Sequence, residues 1–131
     1  MYATIVQDIY SLIHNATFPI PVVPRDYTGD LGPSNEFMAV QIVFPNSEAH
    51  QYDGGKKISG MLFMDIYTKS GHGDERPAQL CDIVSEVFDN KTTTNNVQFF
   101  LGSVEDKGMD SANPSLRRSE YRVNFNYYGE T

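Results

Sequence analysis

Residues 56–88 read KKISGMLFMDIYTKSGHGDERPAQLCDIVSEVF, and the change of pattern inside them decides the fold. From Ile58 to Tyr67 all but Ser59, Gly60 and Asp65 are β-branched, aromatic or long apolar residues, on two alternating faces. Ile58, Leu62, Met64 and Ile66 share one face; Met61, Phe63 and Tyr67 share the other with Asp65, which predicts a strand covered on both sides. Further on, Leu80, Ile83, Val84, Val87 and Phe88 recur at i, i+3, i+4, i+7 and i+8, so a helix is predicted over 75–89 with Asp74 at its N-cap. Between them lies Ser-Gly-His-Gly-Asp. Strand, glycine loop and helix is also the order of many phosphate sites, but those need G-x-x-x-x-G-K-[ST] or G-x-G-x-x-G at the junction. Here Gly71-His72-Gly73 runs into Asp74 and Glu75, whose charges oppose a phosphate at a helix N-terminus. The loop reads as a connection between two elements.

Working outward, Ile5, Val6, Ile9, Leu12 and Ile13 have helical spacing and predict an amphipathic helix over 2–14. The stretch NATFPIPVVPRDYTGDLGPSN is broken by four prolines and two glycines and allows one short edge strand around 20–23. Residues 36–44 read as a strand with Met38, Val40, Ile42 and Phe44 on one face and Phe37, Ala39 and Val43 on the other. PNSEAHQYDGG then reads as a long loop ending in hairpin-type Asp-Gly-Gly. Residues 97–104 make a third long strand, 105–115 a polar loop, and 116–128 a strand with Tyr121, Val123, Phe125 and Tyr127 inward and Glu120, Arg122, Asn124 and Asn126 outward. The order is α–β–β–α–β–β. The expected class is α+β, a mixed, mainly antiparallel sheet of four to five strands flanked by two helices, in a single domain over 1–131.

A chain of 131 residues fits one domain and buries roughly 68% of its unfolded surface without a disulfide or metal. Its 40% hydrophobic content, with eight Tyr and eight Phe, excludes wholesale disorder. Seventeen acidic residues against ten basic ones, a net charge of −7, disfavour nucleic acid and anionic membranes, leaving only a local basic patch at Arg117 and Arg118. The single cysteine, Cys81, excludes an internal disulfide and sits in a helical apolar pattern. No signal peptide opens the sequence and no stretch approaches ~18 apolar residues, so a protein made in a cytoplasm is expected.

No constellation for chemistry stands out. His14, His50 and His72 form no H-x-x-x-H or H-E-x-x-H pair. No serine lies in a G-x-S-x-G elbow, and Glu105 and Asp106 are neighbours in a loop. The expectation is no catalytic residues, no metal and no cofactor: not an enzyme.

The central block resembles the tail terminator proteins of long-tailed bacteriophages. In that family a strand of the form G-x-hydrophobic-x-hydrophobic-D-hydrophobic-Y meets a short Gly-rich loop and then a helix ending near a Phe. Gly60, Leu62, Asp65, Ile66, Tyr67, Gly71, Gly73, Ala78, Leu80, Asp82, Ile83 and Phe88 match that layout. The closing RRSEYRVNFNYYGE is similar to the family's last, alternating strand, whereas the Pro-rich stretch over 17–35 departs from its pattern. The resemblance implies a structural virion protein: a ring, usually hexameric, that caps the tail tube, ends tube polymerisation and offers a surface for head joining. The implied partners are other copies of the chain, the tail tube protein and a head-completion or connector protein. The implied location is the head-proximal end of the tail, with host cytoplasm during assembly. The alternatives are a head-to-tail connector or completion protein, or a small cytosolic α+β enzyme or ligand-binding domain.

Subunit or tube contacts are expected at two places. The long loop offers His50, Tyr52, Asp53, Lys56 and Lys57, because loops beyond two to five residues between paired strands are commonly functional. The second strand face offers Met61, Phe63 and Tyr67, with Asp65 expected to be hydrogen-bonded among them.

Overall fold

A computed structural model describes residues 2–27, 36–45, 50–52, 55–71 and 73–130, and at 50–52, 55, 56 and 130 the backbone alone. Helix α1 (Tyr2–Asn15) is followed by strands β1 (Val22–Pro24), β2 (Phe37–Val43), β3 (His50–Tyr52) and β4 (Gly55–Lys69). Then come helix α2 (Glu75–Phe88) and strands β5 (Val97–Phe99), β6 (Ser103–Met109) and β7 (Leu116–Glu130). The class is α+β, as the patterning predicts. One sheet of seven strands runs β1-β2-β4-β7-β5, with β3 also on β4 and β6 also on β7. Only β1 on β2 is parallel; every other pairing is antiparallel.

The centre of the sheet is the β4–β7 ladder, paired without a break from Gly55↔Glu130 to Lys69↔Leu116. Its register sorts the side chains into two faces, because directly opposed residues point the same way. The first face carries Met38, Val40, Ile58, Leu62, Met64, Ile66, Tyr121, Val123 and Phe125, all buried. Both helices pack on it: Ile5, Ile9 and Ile13 of α1 and Leu80, Cys81, Val84 and Phe88 of α2 join these residues in one core. Phe99 meets Phe88 and Phe125 at a tilt, with ring centroids 5.4 Å and 5.6 Å apart, a geometry that ring quadrupoles favour. Gly60 is required here, since a Cβ would fall 2.4 Å from Phe125 Cζ and 3.0 Å from the Val43 carbonyl oxygen.

Several local expectations are revised. The strand read over 97–104 is two pieces, β5 and β6, separated at Leu101 and Gly102, where the Gly102 N–H turns to Asp89. The stretch read as a polar loop from 105 is strand as far as Met109. It escaped the pattern because its side chains are exposed and a bulge between Asp106 and Gly108 (φ 74°) breaks its alternation. The stretch read as a long loop after β2 contains paired strands, with Tyr52 opposite Gly55 and His50 opposite Lys57. Asp74 stands at the N-cap of α2, yet its side chain makes no capping hydrogen bond.

Asp74 is instead drawn to Arg117, whose Nη1 lies 2.5 Å from its Oδ1. The same guanidinium donates to the Gly73 carbonyl at 3.1 Å and to Asp106. Gly71 and Gly73, at φ 81° and 80°, supply the left-handed turns that carry β4 into α2. One arginine on β7 thus ties the glycine loop to β6. At the opposite end of the core, Asp8 on α1 accepts from the Asn95 amide nitrogens at 3.1 Å (backbone) and 2.7 Å (side chain) and from the Thr93 hydroxyl. That contact fixes the Thr/Asn turn beneath the first helix.

Candidate functional site

Neither α1 nor α2 packs on the second face of the sheet: none of its described residues belongs to the core they share. Read across β2, β4 and β7, its rows are Phe37–Tyr67–Arg118, Ala39–Asp65–Glu120, Gln41–Phe63–Arg122 and Val43–Met61–Asn124. Met61, Phe63 and Tyr67 are half-buried, and Phe37 stacks on Tyr67 with ring centroids 4.5 Å apart. The sequence placed these three residues on a second apolar face, and the register brings them together there. Lys57 lies on the same face, opposite Tyr128. His50, Tyr52 and Lys56 are described by backbone alone, in β3 and β4, and Asp53 and His72 lie outside the described residues.

The centre of this face is charged, which sequence patterning did not anticipate. Asp65 is 1% exposed and faces Glu120, 8% exposed, directly across the β4–β7 ladder. Glu120 in turn faces Glu105 on β6, so three carboxylates stand in one row on adjacent strands. Like charges placed so are unfavourable, and arginines offset them. Arg25, just beyond β1, donates to the Gln41 side chain and reaches Asp65 at 3.6 Å. Arg118 approaches Asp65 at 3.8 Å and Glu120 at 3.6 Å. These are ion-pair distances, too long for hydrogen bonds, and both Asp65 carboxylate oxygens lack a hydrogen-bond partner. The expectation of a hydrogen-bonded Asp65 is therefore corrected. Its neighbours on the strand are apolar, and the guanidiniums that neutralise it come from β1 and β7 without closing to contact. Burial raises the Asp65 pKa, Arg118 and Arg25 lower it, and Glu120 raises it again; the balance is upward. Tyr67 beside it is also raised, by burial first and by Asp65 second.

The proposed basic patch at Arg117 and Arg118 does not present free cations. Arg117 is shared between Asp74 and Asp106, and Arg118 between Asp65 and Glu120. Cys81 is buried and its thiol is pushed up to about 11, by burial and then by Asp82 and Asp106. It is protonated at neutral pH and poorly suited to nucleophilic attack. Among the described residues no group of three His, Cys, Asp or Glu side chains could hold a metal ion, and no helix is long and apolar enough to cross a membrane.

Hollows lined by described residues flank the sheet. One of about 430 Å³ lies between α1 and the β1–β2 edge, with Val6, Tyr10, Pro24, Val40 and Ile42 as apolar walls and Arg25 and Asp26 at its rim. It opens because β1 pairs only with Met38–Val40, and no described strand continues beside Gln41–Val43. Another, about 300 Å³, lies between α2 and β6 and includes Ala78, Cys81 and Val104.

No family model and no curated protein matches the sequence. A solved structure, of a protein whose name states no function, shares the fold with a TM-score of 0.61 at 12% identity, over 90% of this chain and 94% of that one. At that identity the likeness shows the fold alone.

Proposed function

We propose that this chain is a structural subunit of a phage tail, a tail-terminator-like protein that forms a ring on the head-proximal end of the tail tube. The observation that carries this reading is that, among the described residues, both helices lie on one face of the sheet. Its other face holds Met61, Phe63, Tyr67 and Phe37, half-buried and outside the core. A monomer gains nothing from exposing such a surface, whereas an assembling subunit buries it against the tube or a neighbour. The resemblance of the 58–88 block to tail terminators supports the same reading and adds the ring, usually of six, and the head-joining role. A connector or completion protein of the same virion is the nearest alternative.

A second reading, a small ligand-binding domain, is favoured by the 430 Å³ hollow, which is of ligand size. Negative-stain images and native mass spectra of the protein, alone and mixed with tail tubes, separate the two. A closed ring on tube ends is expected. Monomers or dimers that leave tube length unchanged would refute the terminator reading.

A further inference from the structure

Among the described residues, the side chains with buried polar atoms that lack a hydrogen-bond partner are Asp65, Thr68 and Arg118. Asp65 and Arg118 meet on the second face of the sheet, and every charged group around Asp65 is committed elsewhere or falls short of it. On β6, Glu105 is held by Lys107 at 3.0 Å, half in solvent. Past β1, Arg25 donates through Nη1 to Gln41 and stops 3.6 Å from Asp65. On β7, Arg118 is divided between Asp65 at 3.8 Å and Glu120 at 3.6 Å, and its buried Nε bonds to neither. Arg122 stands one row away, opposite Phe63. On this face β2 presents Phe37, Ala39 and Gln41, none of them charged, and β4 adds the neutral Tyr67. Glu120 is left as the group directly opposite Asp65. Opposed Cβ atoms on paired strands lie about 4.5–5.5 Å apart, so the two carboxyl groups can touch. Two carboxylates at that range repel, whereas an acid and a carboxylate make a short, charge-assisted O–H···O bond.

We propose that Asp65 takes up a proton on acidification and donates it in a hydrogen bond to Glu120, and that this releases Arg25 from the carboxylate row. The proton comes from solvent and ends on an Asp65 carboxyl oxygen, which turns an unused acceptor into a donor. Glu120 remains the anion and Arg118 closes on it. Arg25, 44% exposed, keeps only Gln41 as its partner and turns to water. The row, with Asp65, Glu120 and Glu105 against Arg25, Arg118 and Lys107, passes from balanced to one positive charge in excess. The burial of Asp65 points the same way: it is the largest influence on this carboxyl and raises its pKa, and Glu120 adds to it against Arg118 and Arg25. The second face thus carries a pH-sensitive element set by the β4–β7 register, one that presents a guanidinium in acid and withdraws it at neutral pH. It does not rest on the ring reading.

Carbon NMR of the isolated chain from pH 7 to pH 4 tests it. The Asp65 carboxyl resonance should titrate above the ordinary aspartate value of about 3.9, and the Arg25 Cζ resonance should move with the same midpoint. Glu120→Gln should bring the Asp65 midpoint down, because the opposing charge is gone and Arg118 is left to Asp65 alone. Asp65→Asn should hold the Arg25 resonance at its acid position across the whole range. An Asp65 midpoint at or below the ordinary value, as for a carboxylate kept ionised by an ordered water, would overturn the proposal. So would a midpoint unmoved by Glu120→Gln. If Glu120→Gln does not fold, Asp65→Asn decides alone: an Arg25 resonance that still titrates there overturns the proposal.

Discussion

Replacing Asp65 by Asn isolates the energetics of the carboxylate row. The native carboxylate forgoes hydration, with both oxygens unbonded, and faces Glu120 across the ladder. In return it has two guanidiniums at 3.6 and 3.8 Å, on side chains 44% and 26% exposed. Removing one member of a buried pair costs about 3–5 kcal/mol when the other charge is left stranded. Here the arginines can turn to water, and Arg118 is released toward Glu120, so that penalty falls away. Neutral replacement of buried ion pairs ranges from no change to a gain of about 1–4 kcal/mol. The amide must itself be buried, so the lower half of that range applies: between no change and about +2 kcal/mol at pH 7. With an unfolding entropy near 0.28 kcal/mol/K for a chain of this length, that is up to about 7 °C in Tm. The pH dependence fixes the sign. A carboxyl whose folded pKa is raised binds its proton more tightly in the native state, so its ionisation costs stability above that pKa. The cost is withdrawn as pH falls through the raised value toward the unfolded one. Calorimetry from pH 7 to pH 4 should therefore show wild type gaining on Asp65→Asn. A variant less stable than wild type by 2 kcal/mol or more at pH 7, with the gap closing in acid because wild type falls, would refute the reasoning.

Asp8→Ala removes three hydrogen bonds to one side chain at a partly exposed site, about 0.5–1 kcal/mol each. A loss of roughly 2 kcal/mol and about 7 °C in Tm is expected by thermal unfolding, with hydrogen exchange accelerated in residues 93–96. Cys81 should resist thiol reagents at pH 8 in the folded protein and react on denaturation. Because its folded pKa is about 11 against an ordinary value of 9.0, stability should fall as pH rises from about 9 to about 11, a slope that Cys81→Ala removes.

Both helices were legible because a helix buries one stripe, and Ile5, Ile9, Ile13 and Leu80, Val84, Phe88 stand on theirs. β4 and β2 were legible because each is apolar on two faces, and their alternation sorted every residue to the face it occupies. β6 was not, since SVEDKGM is solvated and owes its strand conformation to β7. Nor was the carboxylate row. Asp65, Glu120 and Arg25 are brought together by register across four strands, and sequence offers only the hint of one acid inside an apolar run. Glu120 alternates with Tyr121 and so read as an outward, solvated residue; in the structure it is buried beside Arg118.

The unbroken pairing of β4 with β7 also governs when the fold can form. Each rung joins residues between 47 positions (Lys69 to Leu116) and 75 positions (Gly55 to Glu130) apart, and β7 is the last strand in chain order. During synthesis at about 5–20 residues per second, β4 exists for several seconds with β2 on one side and an open edge on the other. That edge belongs to a strand apolar on both faces, the kind most prone to pairing with the wrong chain. Closing ladders of such long reach is intrinsically slow. The arrival of β7 is therefore the committing event: it seals β4, provides the ladder for β5 and β6, and brings Arg118 to Asp65 in one step.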